Sequence, residues 1–314
     1  MRSQRFSLVD LAMATSFVAI VTVILTPAVL NARTASRQQD CANHFKMIGI
    51  ALHNYHATHL LFPPGRIWDS DPLRPAHDNG ATLMALPYIE QEAVYNAFNF
   101  YMAWSTVQNK TACNQRIAVF LCPDAPMHSM SEKVDPVGGP TSIAYSLGSL
   151  AWLTHPTHAA AKLGPQPEGV FFDNSAIGAR EIVDGMSMTV FASEQIIDAN
   201  RRDGSAEMTG ECSGAATEGK QHFERSGSRW AAGHPSSNYF NARRRPNDAE
   251  SDCFHGTPVG IGSLNKVPRS RHVGGVNVLF ADGSVKFVRD SIDLRLWQSL
   301  NTRAAQEVVD PASF

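Results

Sequence analysis

The 314 residues are enough for one large or two small domains with a sizeable core. Lys and Arg number 27 against 29 Asp and Glu, a formal charge of −2, so no strong field favours nucleic acid or an anionic surface. Among the five cysteines no Cys-x-x-Cys occurs, which argues against zinc ribbons and thioredoxin-like redox motifs.

Arg2 and Arg5 precede Phe6-Ser7-Leu8-Val9-Asp10, and residues 11–30 then run for 20 positions without a charge, 16 of them Ala, Val, Ile, Leu, Met, Phe or Pro. At about 1.5 Å per residue such a helix spans roughly 30 Å, the thickness of a bilayer's hydrocarbon core. Its Thr and Ser hydroxyls can bond back to their own helix, so lipid tolerates them. Asp10 sits at the edge of this run, where an acid is costly and usually has a partner or a task. Pro27 lies inside it, removes one helix hydrogen bond and should bend the helix. The expectation is a single-pass protein of the cytoplasmic (inner) membrane. Arg2 and Arg5 on one flank against Arg33, Arg37 and Asp40 on the other orient the helix only weakly. The short N-terminal tail favours a cytoplasmic N-terminus and an extracytoplasmic body. A cleaved secretory signal is the competing reading, but its apolar region is usually about 7–15 residues and ends at a small-x-small site, which Leu30-Asn31-Ala32 matches poorly.

Helical periodicity continues beyond the apolar run. Cys41, Phe45, Ile48, Leu52 and Tyr55 recur at four- and three-residue steps, the stripe of a helix packed on a body. Phe62-Pro63-Pro64-Gly65 ends it. Residues 65–80 read as a loop. Leu83, Leu86, Ile89, Glu90 and Val94 suggest a shorter helix begun or kinked at Pro87. The apolar runs 118–121, 169–172 and 189–192, each near turn-forming residues, fit strands. Residues 198–271 are polar, poor in periodicity, and read as long loops. Arg243-Arg244-Arg245 falls there. A phosphate or headgroup site and a solvated turn before Pro246 are both open, and the low net charge favours the turn.

The strongest local signal is at 275–288. Asp282-Gly283 between two apolar alternations reads as a hairpin with a two-residue type I′ turn. That register sets Phe280 opposite Val285 and Val278 opposite Phe287, all four on one buried face, with Asn277 and Lys286 facing away. A final helix at about 292–301 would cover part of it.

The chemistry-bearing residues are scattered. In an oxidising compartment five cysteines should give at least one disulfide. The pairings expected are Cys41 with Cys122, a helix packed on a strand, and Cys212 with Cys253, in two polar loops. His53, His56 and His59 follow at three-residue steps, but no nearby Cys, Asp or Glu completes a metal set, and polar residues bonded at the helix–body junction are the plainer reading. His272, Asp282, Asp184 and Glu194 can be posed as a catalytic or metal cluster. Asp282 already has a role in the turn, and His272 can serve to anchor the hairpin. There is no Gly-x-Ser-x-Gly elbow, P-loop or His-Glu-x-x-His. A non-enzyme without a cofactor is the expectation.

Two resemblances follow from these stretches. Phe6-Ser7-Leu8-Val9-Asp10 with Pro27 resembles the N-terminus of type IV pilins and type II secretion pseudopilins. Arg5 stands where those proteins carry the Gly that precedes the peptidase cut, and Asp10 where they carry Glu. With His272, nine residues, then Asp282-Gly283, the whole chain resembles the pseudopilin-like family called domain of unknown function 1559. Stretches similar to that family's appear in order at 41–43, 48–56, 62–65, 86–91, 120–123 and 182–185, with Glu194. The resemblance implies an α+β fold with a long N-terminal helix, half transmembrane, on a body with an antiparallel β-sheet. It implies residues 1–61 as membrane and stalk helix and 62–314 as the extracytoplasmic domain. Phe6, Asp10 and Pro27, with the departure at Arg5, would govern processing or assembly, and His272, Asp282 and Gly283 are the family signature. Partners would be the membrane, like subunits or secretion-system proteins, and not nucleic acid. Calcium is the cation such a resemblance brings, since secretion pseudopilins often hold it in a C-terminal loop. The expected function is a pilin-like structural protein of the envelope. The alternative is an anchored domain that never polymerises and binds a glycan or protein by its long loops.

Overall fold

The computed structural model describes residues 8–68, 78–125, 138–149, 152–153, 167–197, 220–221, 226–249, 252–256 and 262–307. One helix, α1 (Leu8–His59), runs 52 residues, roughly 80 Å. Among the described residues none in its first half is buried. Phe17, Val18, Ile20, Val23, Ile24 and Leu25 are exposed. The hydroxyls of Ser16, Thr22 and Thr26 bond to the carbonyls of Ala12, Ala19 and Thr22, at 2.7, 2.9 and 2.6 Å. Pro27 lies within the helix. From Cys41 onward the stripe turns inward: Cys41, Phe45, Ile48 and Leu52 are buried and Tyr55 half-buried. The helix stops where Leu60 enters the left-handed region (φ 61°), with Phe62 N–H bonded to Ile177 O at 2.8 Å.

The body follows as β1 (Arg66–Ile67), β2 (Asn79–Gly80), α2 (Ala81–Ala85), α3 (Glu92–Asn96), α4 (Lys110–Cys113), β3 (Ile143–Ser146), β4 (Trp152–Leu153), β5 (Val190–Glu194), β6 (Lys220–Gln221), α5 (Pro235–Asn238), β7 (Tyr239–Phe240), β8 (Cys253–Gly256), β9 (Gly262–Asn265), β10 (Gly275–Phe280), β11 (Val285–Arg289) and α6 (Leu294–Ser299). The main sheet has order β11-β10-β5-β3-β7, antiparallel except for the parallel β3–β7 pair. An antiparallel sheet β4-β9-β8-β6 stands apart from it. The main sheet separates two apolar clusters. On one side Phe45, Ile48 and Leu52 of α1 pack with Tyr145, Phe171, Phe191, Leu279 and Ala281. On the other, Val276, Val278, Phe280 and Val288 pack with Phe240 and Trp297. The fold is α+β, a long helix on a body of antiparallel and mixed sheet.

Several local expectations change. The helix expected over 83–94 is broken into α2, a 3-10 turn at Leu86–Ile89 and α3, because Glu90 takes a left-handed conformation (φ 61°). Residues Ala118–Phe120 form a 3-10 turn, not a strand, with Ala118 exposed. The run 169–172 forms bends without a ladder. A short apolar run alone does not distinguish these outcomes. The stretch expected to be loops contains β6 to β9 and α5, elements too short or too polar to show a period.

The hairpin is present, but one residue out of register. Val278 pairs with Lys286 and Leu279 with Val285. Phe280 N–H bonds to Ser284 O at 2.9 Å and Gly283 N–H to Phe280 O at 3.0 Å, leaving a three-residue loop in which Gly283, and not Asp282, has positive φ (84°). This is the three-residue loop in which a left-handed Gly closes a bulge. Lys286 therefore shares the face of Val278 and Phe280, its Nζ 5.2 Å from the Phe280 ring centre. Asn277 points the other way and is buried, because β10 is an interior strand with both faces covered.

Candidate functional site

Four distant stretches converge where α1 first meets the body. Cys41 opens the buried stripe of α1, about 16 Å along the helix from the end of the apolar run at Leu30. Its sulfur is joined to Cys122, 81 residues on. Cys122 follows the 3-10 turn at Ala118–Phe120, and that segment is held by Ser142 N–H to Phe120 O (2.7 Å), Cys122 N–H to Ser142 Oγ (3.1 Å) and His44 Nδ1 on Leu121 O (2.9 Å). Asp124 lies in the turn that Ala125 N–H closes on Cys122 O at 2.9 Å. Glu194 ends β5, and His272 sits just before β10.

The side chains meet around the His272 ring. Its Nε2 lies 3.1 Å from Glu194 Oε1 and 3.5 Å from Cys122 Sγ. Its Nδ1 is 3.3 Å from Asp124 Oδ2, close but not aligned as a hydrogen bond. Asp124 in turn pairs with Arg37 at 2.9 Å, one turn before Cys41 on α1. Glu194 is fixed from behind by Asn277, whose backbone N–H donates to Oε2 (2.8 Å) and whose Nδ2 donates to Oε1 (3.1 Å). His272 and Glu194 are buried. Burial pushes the imidazole pKa down, but the hydrogen bond and charge of Glu194 and the charge of Asp124 outweigh it, so the net shift is upward. The site is thus a disulfide beside an imidazole whose pKa is raised, itself between two carboxylates. One donor atom from each of Cys41, Cys122, Glu194 and His272 lies within 4.8 Å of the others, the set through which this site could hold a metal.

The posed cluster of His272 with Asp184, Asp282 and Glu194 is half assembled. Asp282 is at the far end of β10, about 20 Å away at strand rise, where its Oδ1 accepts Ser284 N–H at 2.8 Å. Asp184 accepts from Thr302 Oγ1 (2.8 Å), Ala305 N (2.9 Å) and Gln306 N (2.5 Å). The signature residues His272 and Asp282-Gly283 therefore bracket one central strand. His53 Nε2 bonds to Ala281 O at 2.8 Å and His56 Nε2 accepts Ala179 N–H at 3.3 Å, so these two serve the helix–body junction, while His59 is exposed and packs on Tyr55 of its own helix. Arg244 joins Asp248 (2.7 Å), Asp252 (3.3 Å) and Asn265 (3.0 Å), and Arg245 donates to Ile292 O at 2.7 Å, so these two arginines are engaged within the protein. Asp10 lies in the first turn of α1. Arg5, Phe6 and Cys212 lie outside the described residues, and with Cys212 so does its pairing with Cys253. Cys113 is a buried free thiol.

Asp124 and the clasp of Asn277 on Glu194 were not singled out from sequence. The signal for the first was its place two residues after Cys122.

A sequence model of one family, described as "Protein of unknown function (DUF1559)", matches residues 30–295. No curated protein matches the chain, and no solved structure does.

Proposed function

The chain belongs to the DUF1559 family, and on that premise we propose that it is a membrane-anchored structural protein of the cell envelope that associates with like subunits in the pilin manner. One observation carries this reading. Among the described residues none in the apolar half of α1 is buried, while the same unbroken helix continues into the core of the body. An apolar surface of that length needs a lipid or helix partner. The rigid continuation means that anything fixing the first half fixes the body as well. The disulfide between Cys41 and Cys122 suits an extracytoplasmic body, since such bonds persist in oxidising compartments. Pro27 inside the helix and Asp10 in its first turn occupy the places at which a pilin-like helix bends and meets its neighbour. The reading is non-catalytic.

Site-directed crosslinking in native membranes tests it. With Val18→Cys or Val23→Cys, on the exposed apolar half, a short bifunctional thiol reagent should give dimers and higher ladders of the chain itself. Crosslinks confined to the monomer and lipid would favour the anchored domain that does not polymerise.

A further inference from the structure

We infer that the dithiol form of the Cys41–Cys122 pair, together with His272 and Glu194, is a tetrahedral binding site for a thiophilic divalent cation of the zinc class. The inference is independent of membrane placement and of subunit association.

The geometry is already close to that of a zinc site. Tetrahedral zinc with Cys, His and carboxylate ligands sets its donors about 3.3–3.8 Å apart. His272 Nε2 is 3.5 Å from Cys122 Sγ and 3.1 Å from Glu194 Oε1. All four donors already lie within 4.8 Å of one another, and the largest change is at the sulfur–sulfur edge, which opens from a covalent bond to about 3.8 Å, a movement of about 1 Å by each sulfur that side-chain rotation can supply. Cys41 comes from a helix and Cys122 from a turn, so neither backbone has to move far.

The surroundings carry a second, independent mark. A metal-binding histidine usually turns its other ring nitrogen to a carboxylate, which fixes ring orientation and tautomer. Here Nε2 faces Cys122 and Glu194, and Nδ1 faces Asp124, which Arg37 holds in place. Glu194 is likewise oriented through both oxygens by Asn277. The donor set of two sulfurs, one nitrogen and one oxygen selects zinc-like cations over calcium, which takes six to eight oxygens. Four protein ligands leave no open position, so the role is structural.

An external dithiol supplies two electrons and its two thiol protons to the S–S bond and becomes a disulfide; a phosphine supplies two electrons and takes the oxygen of one water, whose two protons complete the thiols, to become a phosphine oxide. The cation then displaces both thiol protons and any proton on His272 Nε2. Disulfide and cation are alternative ways of making one link between α1 and the body. Cys122 is the half-buried member of the pair and the one through which a reductant reaches it.

The test uses the full chain in detergent micelles, reduced by a phosphine under argon, desalted, and titrated with Co2+ as a spectroscopic probe and then with Zn2+. The expected result is one Co2+ per chain, with a thiolate charge-transfer band and tetrahedral ligand-field bands that Zn2+ abolishes, and no such bands in the unreduced chain. Cys212→Ser with Cys253→Ser should keep the bands, His272→Ala should lose them, and Asp124→Asn should weaken binding about ten- to a hundred-fold. Zn2+ should also raise the unfolding temperature of the reduced chain and leave that of the oxidised chain unchanged. If reduction alone unfolds the body, Zn2+ should refold it. Absence of a thiolate band from the reduced chain, persistence of the band in Cys41→Ser with Cys122→Ser, or failure of Zn2+ to stabilise or refold the reduced chain each overturns the inference.

Discussion

Gly49 of α1 lies directly against Gly283 of the β10–β11 turn: a Cβ on Gly49 would stand 3.3 Å from Gly283 Cα and 2.9 Å from Leu279 Cδ1. The helix therefore rests on the hairpin backbone itself, and His53 Nε2 on Ala281 O at 2.8 Å extends the contact one turn further. Gly49→Val should destabilise the body by about 1–3 kcal/mol through overpacking. Gly49→Ala should cost less, since the gain in helix propensity of about 1 kcal/mol offsets part of the clash. Gly283→Val, at φ 84°, should cost about 1–3 kcal/mol through backbone strain. Chemical-unfolding midpoints rank the three. Equal midpoints for Gly49→Val and the parent would mean that helix and turn are not in contact.

The hairpin register predicts a different ranking from the one a two-residue turn would give. Phe280→Ala removes a core side chain and should cost about 3–5 kcal/mol. Asn277→Ala removes the Nδ2 donor from buried Glu194 Oε1, while the backbone N–H on Oε2 stays, and should cost about 1–3 kcal/mol. Lys286→Ala removes a half-buried stem above the Phe280 ring and should cost about 0.5–1 kcal/mol. The same unfolding series reads all of these, and a cost at Lys286 above that at Asn277 would put the register in error.

How much of this was legible in sequence depends on how local the information was. The apolar run and the stripe from Cys41 to Tyr55 are periodic over many turns, so α1 could be read with its buried face. The hairpin could be located from Asp282-Gly283, but its register rests on a one-residue difference in loop length that both sequences of alternation tolerate. The runs at 118–121 and 169–172 were misread because four apolar residues carry no period. The Cys41–Cys122 pair and the pairing of His272 with Glu194 were each named from the sequence and are both present, but their meeting in one site was not readable. It depends on β10 lying beside β5 and on α1 packing against that sheet, relations between residues more than a hundred positions apart in the case of Cys122 and His272.

Burial lowers the pKa of Lys266 from 10.5 to about 7, with Asp252 opposing and Arg269 adding to the shift. Its Nζ donates to Gln195 Oε1 at 2.6 Å and to Ser237 O at 3.2 Å. Between the folded and unfolded pKa values the unfolded chain holds a proton that the folded chain does not, so stability rises with pH through that window. The urea midpoint should increase from about pH 7 to about pH 9.5, and Lys266→Met should remove most of that increase. An unchanged slope in the variant would assign the pH dependence elsewhere.

The two kinds of cysteine should separate cleanly in a native alkylation experiment. Cys41 and Cys122 should appear as one linked peptide pair without reductant. Cys113, buried with its Sγ donating to Trp104 O at 3.3 Å and its pKa pushed up to about 12 by burial, should resist alkylation until the chain unfolds. Loss of the disulfide through Cys41→Ala with Cys122→Ala should cost about 4.5 kcal/mol on the chain-entropy view, given the 81-residue separation. Rapid native labelling of Cys113 would contradict its burial, and rapid native labelling of both Cys41 and Cys122 would contradict the link between α1 and the body.

If the apolar half of α1 is retained and holds the body to a membrane, alkaline carbonate extraction of membranes containing the full chain, followed by intact mass of the recovered protein, reads it out. The protein should stay in the membrane pellet with residues 11–30 in the measured mass, because about 20 apolar residues bind lipid more firmly than any peripheral contact. Recovery in the supernatant as a species beginning near Ala32 or Arg33 would identify the run as a cleaved signal and rule out the membrane anchor.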